Sequence, residues 1–116
     1  MTVPDTIELS LREDGVPGDN DSFDPRAMPG FNGYAASGHV EAEVVYLNYG
    51  LPEDYDALAS LGVSVAGKIA LVRYGRSFRG VKAELAEKHG AAGVIIYSDP
   101  ADDGYMRGDI YPDGPM

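Results

Sequence analysis

The sequence predicts an α/β domain built on a βαβ unit, and three segments carry that prediction. Lys68 to Arg73 contains the continuous apolar run Ile69-Ala70-Leu71-Val72. Residues 80–89 form a helical stretch closed by Gly90, and Gly93-Val94-Ile95-Ile96-Tyr97 is a second apolar run closed by Ser98-Asp99-Pro100. Strand, charged turn, helix and strand in that order make a compact crossover unit.

The remaining elements follow from local pattern. Thr6-Ile7-Glu8-Leu9-Ser10-Leu11-Arg12 alternates apolar with polar, which predicts a half-buried strand ended by the turn Glu13-Asp14-Gly15. Residues 15–38 are rich in Gly, Pro, Asp and Asn, and predict a long surface loop with a short strand near Tyr34. His39 to Tyr49 alternates again: Val40, Ala42, Val44, Tyr46 and Asn48 share one face, and Glu41, Glu43, Val45, Leu47 and Tyr49 the other. A strand that starts exposed and ends buried on both sides is expected there. Pro52-Glu53-Asp54 supplies an acidic first turn for a short helix, Tyr55 to Leu61, stopped by Gly62. In the helix over 80–89, Val81 and Leu85 share a face, and Glu84 and Lys88 pair at i,i+4 on the solvent side. The expected core is Ile69, Leu71, Val81, Leu85, Val94 and Ile96.

Composition sets the limits. A chain of 116 residues with 44% hydrophobic content is expected to be one domain, 1–116, able to bury a modest core without staples. There is no cysteine, hence no disulfide, thiolate metal site or cysteine nucleophile. The net charge of -10 argues against nucleic acid and against anionic lipid, both of which require clustered cations. It would suit a high-salt environment, and an ordinary acidic soluble domain accounts for it equally well. No apolar run reaches the ~20 residues of a membrane span, so no direct membrane insertion is expected.

Against that acidic background, Arg73-Tyr74-Gly75-Arg76-Ser77-Phe78-Arg79-Gly80 gathers three arginines and two aromatics in one turn. Such a local concentration of cation suits an anion or a carboxylate. Arg73 ends the central strand and is expected to satisfy loop carbonyls or an acid such as Asp99. Arg76 is expected in solvent, and Tyr74 and Phe78 in packing. Gly75 suits a turn with positive φ, and Gly80 a close approach at the helix start. Arg79 is expected to cap local carbonyls or to pair with a surface acid.

Catalytic machinery is missing from the sequence. The two histidines, His39 and His89, stand in no H-E-x-x-H or triad context. No phosphate-binding G-x-G-x-x-G or Walker motif occurs. Asp99, Asp102 and Asp103 lack the spacing of an EF-hand and predict a solvated acidic loop.

Arg73–Gly80, Gly93–Pro100 and Tyr111–Pro115, taken in order, resemble the protease-associated domain of the glutamate carboxypeptidase II and transferrin receptor group. Val45-Tyr46-Leu47-Asn48-Tyr49 and Gly67-Lys68-Ile69 add to a similarity covering roughly residues 40–115. The resemblance implies a swivelling β/β/α-type fold, a mixed sheet with two helices packed on it. It implies a non-catalytic domain beside a di-zinc peptidase domain of the same parent chain, covering the active-site cleft and contributing to recognition of a peptide substrate. Zinc is expected in that peptidase domain and none in this chain, which lacks the family's His, Asp and Glu ligands. By motif, the family's carboxylate-binding arginine falls on Arg79, with Arg76 and Tyr74 backing it; the bidentate grip of a guanidinium on a carboxylate is the chemistry involved. The transferrin receptor branch implies an alternative, a protein–protein interaction module acting through the 15–38 loop. The resemblance also suggests an exported, periplasmic or extracellular parent. Family members continue beyond the block that ends at Pro115, so an excised fragment or a sheet lacking one strand is expected, with an open edge that invites a homodimer.

Overall fold

The computed structural model describes residues 10–102 and 106–114. The chain divides into two compact units, Met1–Ser37 and Gly38–Met116.

In the first unit the loop folds around a short 3-10 helix, Asn20–Phe23, which the sequence reading did not anticipate. Asp19 caps it by accepting from the Asp21 N–H at 3.0 Å, and the Ser22 hydroxyl donates to the Asp19 carbonyl at 2.7 Å. These are the local side-chain-to-backbone bonds that let Asp and Ser organise a turn. The short strand expected near Tyr34 is a turn instead, with Tyr34 at φ 62°. The strand expected over Thr6–Arg12 lies mostly outside the described residues. Its last part, Ser10 to Arg12, is a bend in which the Ser10 hydroxyl bonds the Arg12 backbone.

The second unit is a three-stranded sheet with two helices. The elements are β1 (Val44–Tyr46), α1 (Pro52–Ser60), β2 (Ile69–Arg73), α2 (Arg79–Lys88) and β3 (Gly93–Tyr97). The strand order is β1-β2-β3, and both pairings are parallel. Register places Val45 beside Ala70 and Ala70 beside Val94, while Val72 lies beside Ile96. Those residues share one face because side chains alternate along a strand. Tyr55 and Leu58 of α1, and Leu85 and Ala86 of α2, pack into the same core with Leu47 and Val65. Both helices therefore cover one face.

The α/β prediction and its two helices hold, but the inward-facing set differs. On β2 the fully buried residues are Ala70 and Val72, not Ile69 and Leu71, which are half-buried on the opposite face. A continuous apolar run carries no phase, so the pattern could not choose between the faces. On α2, Val81 is 38% exposed, whereas Lys82 and Ala86 are buried. The helix is turned by about one residue, or roughly 100°, because the Lys82 stem enters the core to reach a backbone carbonyl. Leu85 packs at the rim of the core as expected.

β1 is shorter than its alternating pattern, since its partner β2 begins only at Ile69. The pairing is framed by bonds from the Ile69 N–H to the Glu43 carbonyl at 2.8 Å and from the Leu47 N–H to the Leu71 carbonyl at 2.9 Å. β1 itself is half exposed at Val44 and Tyr46, and burial comes just past it, at Leu47 and Tyr49. Helix ends follow their signals. The Asp54 carboxylate accepts the Leu51 N–H at 3.0 Å at the start of α1, and Gly62 and Gly90 adopt positive φ just past the two helices. Glu84 and Lys88 form the expected i,i+4 pair at 2.6 Å.

Candidate functional site

The carboxyl ends of three parallel strands converge on one edge of the sheet, the place where open α/β sheets bind ligands. Asn48 and Tyr49 arrive from β1, the 74–78 turn leaves β2, and Asp99 and Asp102 follow β3. Backbone bonds join the three: the Arg73 N–H donates to the Asn48 carbonyl at 2.6 Å and the Tyr74 N–H to the Tyr97 carbonyl at 2.7 Å.

Arg73 takes the structural part expected of it. Its Nε lies 3.2 Å from Asp99 and its Nη2 2.6 Å from Asp102. The Tyr49 hydroxyl donates to the same Asp102 carboxylate at 2.7 Å, and the Tyr97 hydroxyl to Asp99 at 3.1 Å. Asp99 also accepts the Ala101 N–H at 2.9 Å, and this backbone bond is the largest reason its carboxyl is held below the usual range. Loss of water, together with the Asp99 and Tyr46 neighbours, pushes the Tyr97 phenol up to about 12.

The Tyr49 ring is the hub of the cations. The Arg73 and Arg76 guanidinium carbons lie 4.6 and 4.5 Å from its centroid, and the Lys82 amine 5.5 Å away. Arg76 adopts φ 60° and Gly75 φ 102°, so the turn folds the Arg76 side chain back over Tyr49. A Cβ on Gly75 would sit 3.8 Å from that ring, so the positive φ expected of this glycine is its main constraint. Arg79 is the first residue of α2 and is exposed, its guanidinium 5.8 Å from the Tyr74 ring. Among the described residues neither Arg76 nor Arg79 pairs with a carboxylate, because Arg73 has taken both nearby aspartates.

Tyr74 and Arg76 on the turn and Arg79 at the start of α2 are thus all exposed, Arg76 over the Tyr49 ring and Arg79 over that of Tyr74. The packing expected of Phe78 is not found: its ring is 74% exposed, apart from its approach to Gly80, where a Cβ would meet it at 3.2 Å. Two residues escaped the sequence reading, Lys82 and the ring of Tyr49. The only signal for Lys82 was its spacing of four from Ala86, and a lysine ordinarily marks the solvent face.

Metal donors are scattered. Asp99 and Asp102 are committed to Arg73, and His89 stacks on Tyr55 at 3.8 Å beyond the far end of α2. Among the described residues no three His, Cys, Asp or Glu side chains gather to hold a metal, so this donor set does not fit a zinc centre. No described helix is long and apolar enough to cross a membrane.

A parallel three-stranded sheet with helices on one face and a cationic turn at its carboxyl edge is the framework onto which the family comparison falls. Residues 40–115 match the sequence model of the PA domain, and the chain belongs to that family. It is 45% identical to a probable glutamate carboxypeptidase of Arthroderma benhamiae, over 99% of this chain and 17% of that protein. Vacuolar protein sorting-associated protein 70 of Saccharomyces cerevisiae is 40% identical over 93% of the chain and 14% of its own length. Aminopeptidase NAALADL1 of Mus musculus is 42% identical over 67% and 10% respectively. The chain spans less than a fifth of the length of each of these relatives.

Proposed function

We propose that the chain is the non-catalytic accessory domain of a zinc peptidase, lying over the active-site cleft of a catalytic domain in the same parent protein. Its part is recognition: Arg79 grips a carboxylate of the peptide substrate, with Arg76 and Tyr74 beside it. One observation supports this above the rest. In a chain of net charge -10, two guanidinium groups at the carboxyl edge of the sheet stand exposed, with no carboxylate partner among the described residues. An unpaired guanidinium presents parallel N–H donors that match a carboxylate. Zinc and the reacting groups belong to the catalytic domain.

Arg79→Ala in the full-length protein tests this. KM for peptides with a free terminal carboxylate should rise, with a transition-state loss of about 1.5–3 kcal/mol for one charged hydrogen-bonding group. Arg79→Lys should recover only part, since an ammonium lacks the fork. Unchanged kinetics in Arg79→Ala would end the proposal. A second reading, an interaction module in a parent without peptidase activity, draws support from the 40% identity to a relative named for vacuolar protein sorting. Steady peptide turnover by the purified full-length protein would reject it.

A further inference from the structure

Lys82 is the one fully buried charged residue described, at 0% exposure, and it forms no ion pair with a described residue. Burying an ammonium without a counter-charge is costly, and an apolar side chain of similar length would fill the same space without that cost. Its amine instead donates to the backbone carbonyl of Tyr49 at 2.5 Å, across the gap between α2 and the turn that follows β1. Asp54, the carboxylate whose charge acts on it, is already engaged by the Asn48 amide at 2.9 Å and the Leu51 N–H at 3.0 Å.

Both ends of that bond lead to the cationic turn. Lys82 lies one helical turn beyond Arg79, so whatever holds Lys82 fixes the start of α2. The carbonyl it holds belongs to Tyr49, whose ring carries Arg73 and Arg76 and whose hydroxyl donates to Asp102. No other side chain bonds α2 to the β1 turn among the described residues. Tyr49 is buried, and Gly50, the next residue, is buried against Val72, so the backbone that carries the carbonyl has little room to move.

We infer that Lys82 is a positioning residue for carboxylate recognition: by tying the first turn of α2 to the Tyr49 carbonyl, it sets Arg79 and Arg76 at a fixed separation on the exposed turn. This rests on the assignment of Arg79 to a substrate carboxylate. Lys82 does not touch the ligand. It removes the freedom that two long cationic side chains on separate supports would otherwise lose on binding.

The test compares Lys82→Met, Arg79→Ala and the double variant in the full-length protein. The substrates are a dipeptide with a free terminal carboxylate and the same dipeptide as its terminal amide. Lys82→Met should raise KM for the carboxylate form roughly five- to tenfold, within the range of one ordinary hydrogen bond, with kcat and the amide form little changed. In the Arg79→Ala background the same substitution should add nothing, because the group it positions is gone. Equal losses on both substrates, or a full further loss in the double variant, would make Lys82 a packing residue and overturn the inference. If Arg79→Ala discriminates the two substrates and Lys82→Met does not, the inference falls while the recognition reading stands. If Arg79→Ala fails to discriminate them, both fall. Should Lys82→Met not fold, Lys82→Gln, which keeps a donor on a shorter stem, is assayed in its place, and an unchanged carboxylate-to-amide ratio overturns the inference.

Discussion

Three arginines only six residues apart divide into one structural and two exposed groups, and the division is set by which carboxylates lie within reach. Arg73 ends β2 facing the loop after β3, so Asp99 and Asp102 close on it. The first partner was legible because Asp99 stands two residues past the end of the strand that must pair beside Arg73. Asp102 was not, since a loop residue's direction cannot be read from periodicity. This network is pH-dependent with a definite sign. The Asp99 carboxyl titrates below its ordinary value in the folded chain, chiefly through the Ala101 N–H, so its ionised form favours folding. Its contribution is complete above the unfolded aspartate value of about 3.9 and is lost as pH falls through the lower folded value. Asp99→Asn should therefore lower Tm at neutral pH, and the gap to wild type should close progressively in melts taken below about pH 4. A gap that stays constant down to pH 2 would assign Asp99 to packing rather than charge.

Elements show where sequence pattern carries phase and where it does not. The pattern shows α1 by its acidic first turn and α2 by its helical spacing, each stopped by a following glycine, and both glycines have the positive φ such a stop requires. Helix phase was misread by one position because Lys82 counted as polar, while its stem behaves as a core residue and only its amine needs a partner. The inward phase expected for β2, Ile69 and Leu71, had no support in the pattern, since four consecutive apolar residues suit either face. The buried choice fell on Ala70 and Val72, the side on which the helices pack. Gly50 locks the turn after β1 to this core: it has φ +65°, and a Cβ there would stand 2.8 Å from Val72 Cγ1. Gly62 has a similar φ of +71° with nothing within 4 Å. Gly62→Ala should cost only the backbone strain, about 1 kcal/mol. Gly50→Ala should cost that plus overpacking of about 1–3 kcal/mol. Urea unfolding of both variants checks it, and equal losses would remove the close approach from the account. Leu47→Ala, deleting a buried side chain from the centre of the core, should cost about 2–5 kcal/mol by the same measurement.

For the whole molecule, the family was the most legible property, because its motif blocks are the turn, the second strand of the crossover and their flanks, and these carry the fold as well as the site. The open face of the sheet was not legible. Val44, Tyr46 and Ile95 are about half exposed there, where a parallel sheet ordinarily has cover on both sides. What stabilises the described unit is a core of Leu47, Tyr55, Val65, Ala70, Val72 and Ala86, with no cysteine in the sequence and no gathered metal donors among the described residues. Stability carried by apolar burial does not respond to chelation, whereas a domain held by structural zinc unfolds when the metal is stripped. The isolated chain should accordingly show the same Tm in buffer, in excess EDTA and with added zinc, and should cleave no peptide in any of them. Urea should unfold it in one transition of unchanged midpoint across the three conditions. A midpoint that drops in EDTA, or zinc-dependent turnover abolished by substituting His39 or His89, would place a metal centre in this chain and overturn its reading as an accessory domain.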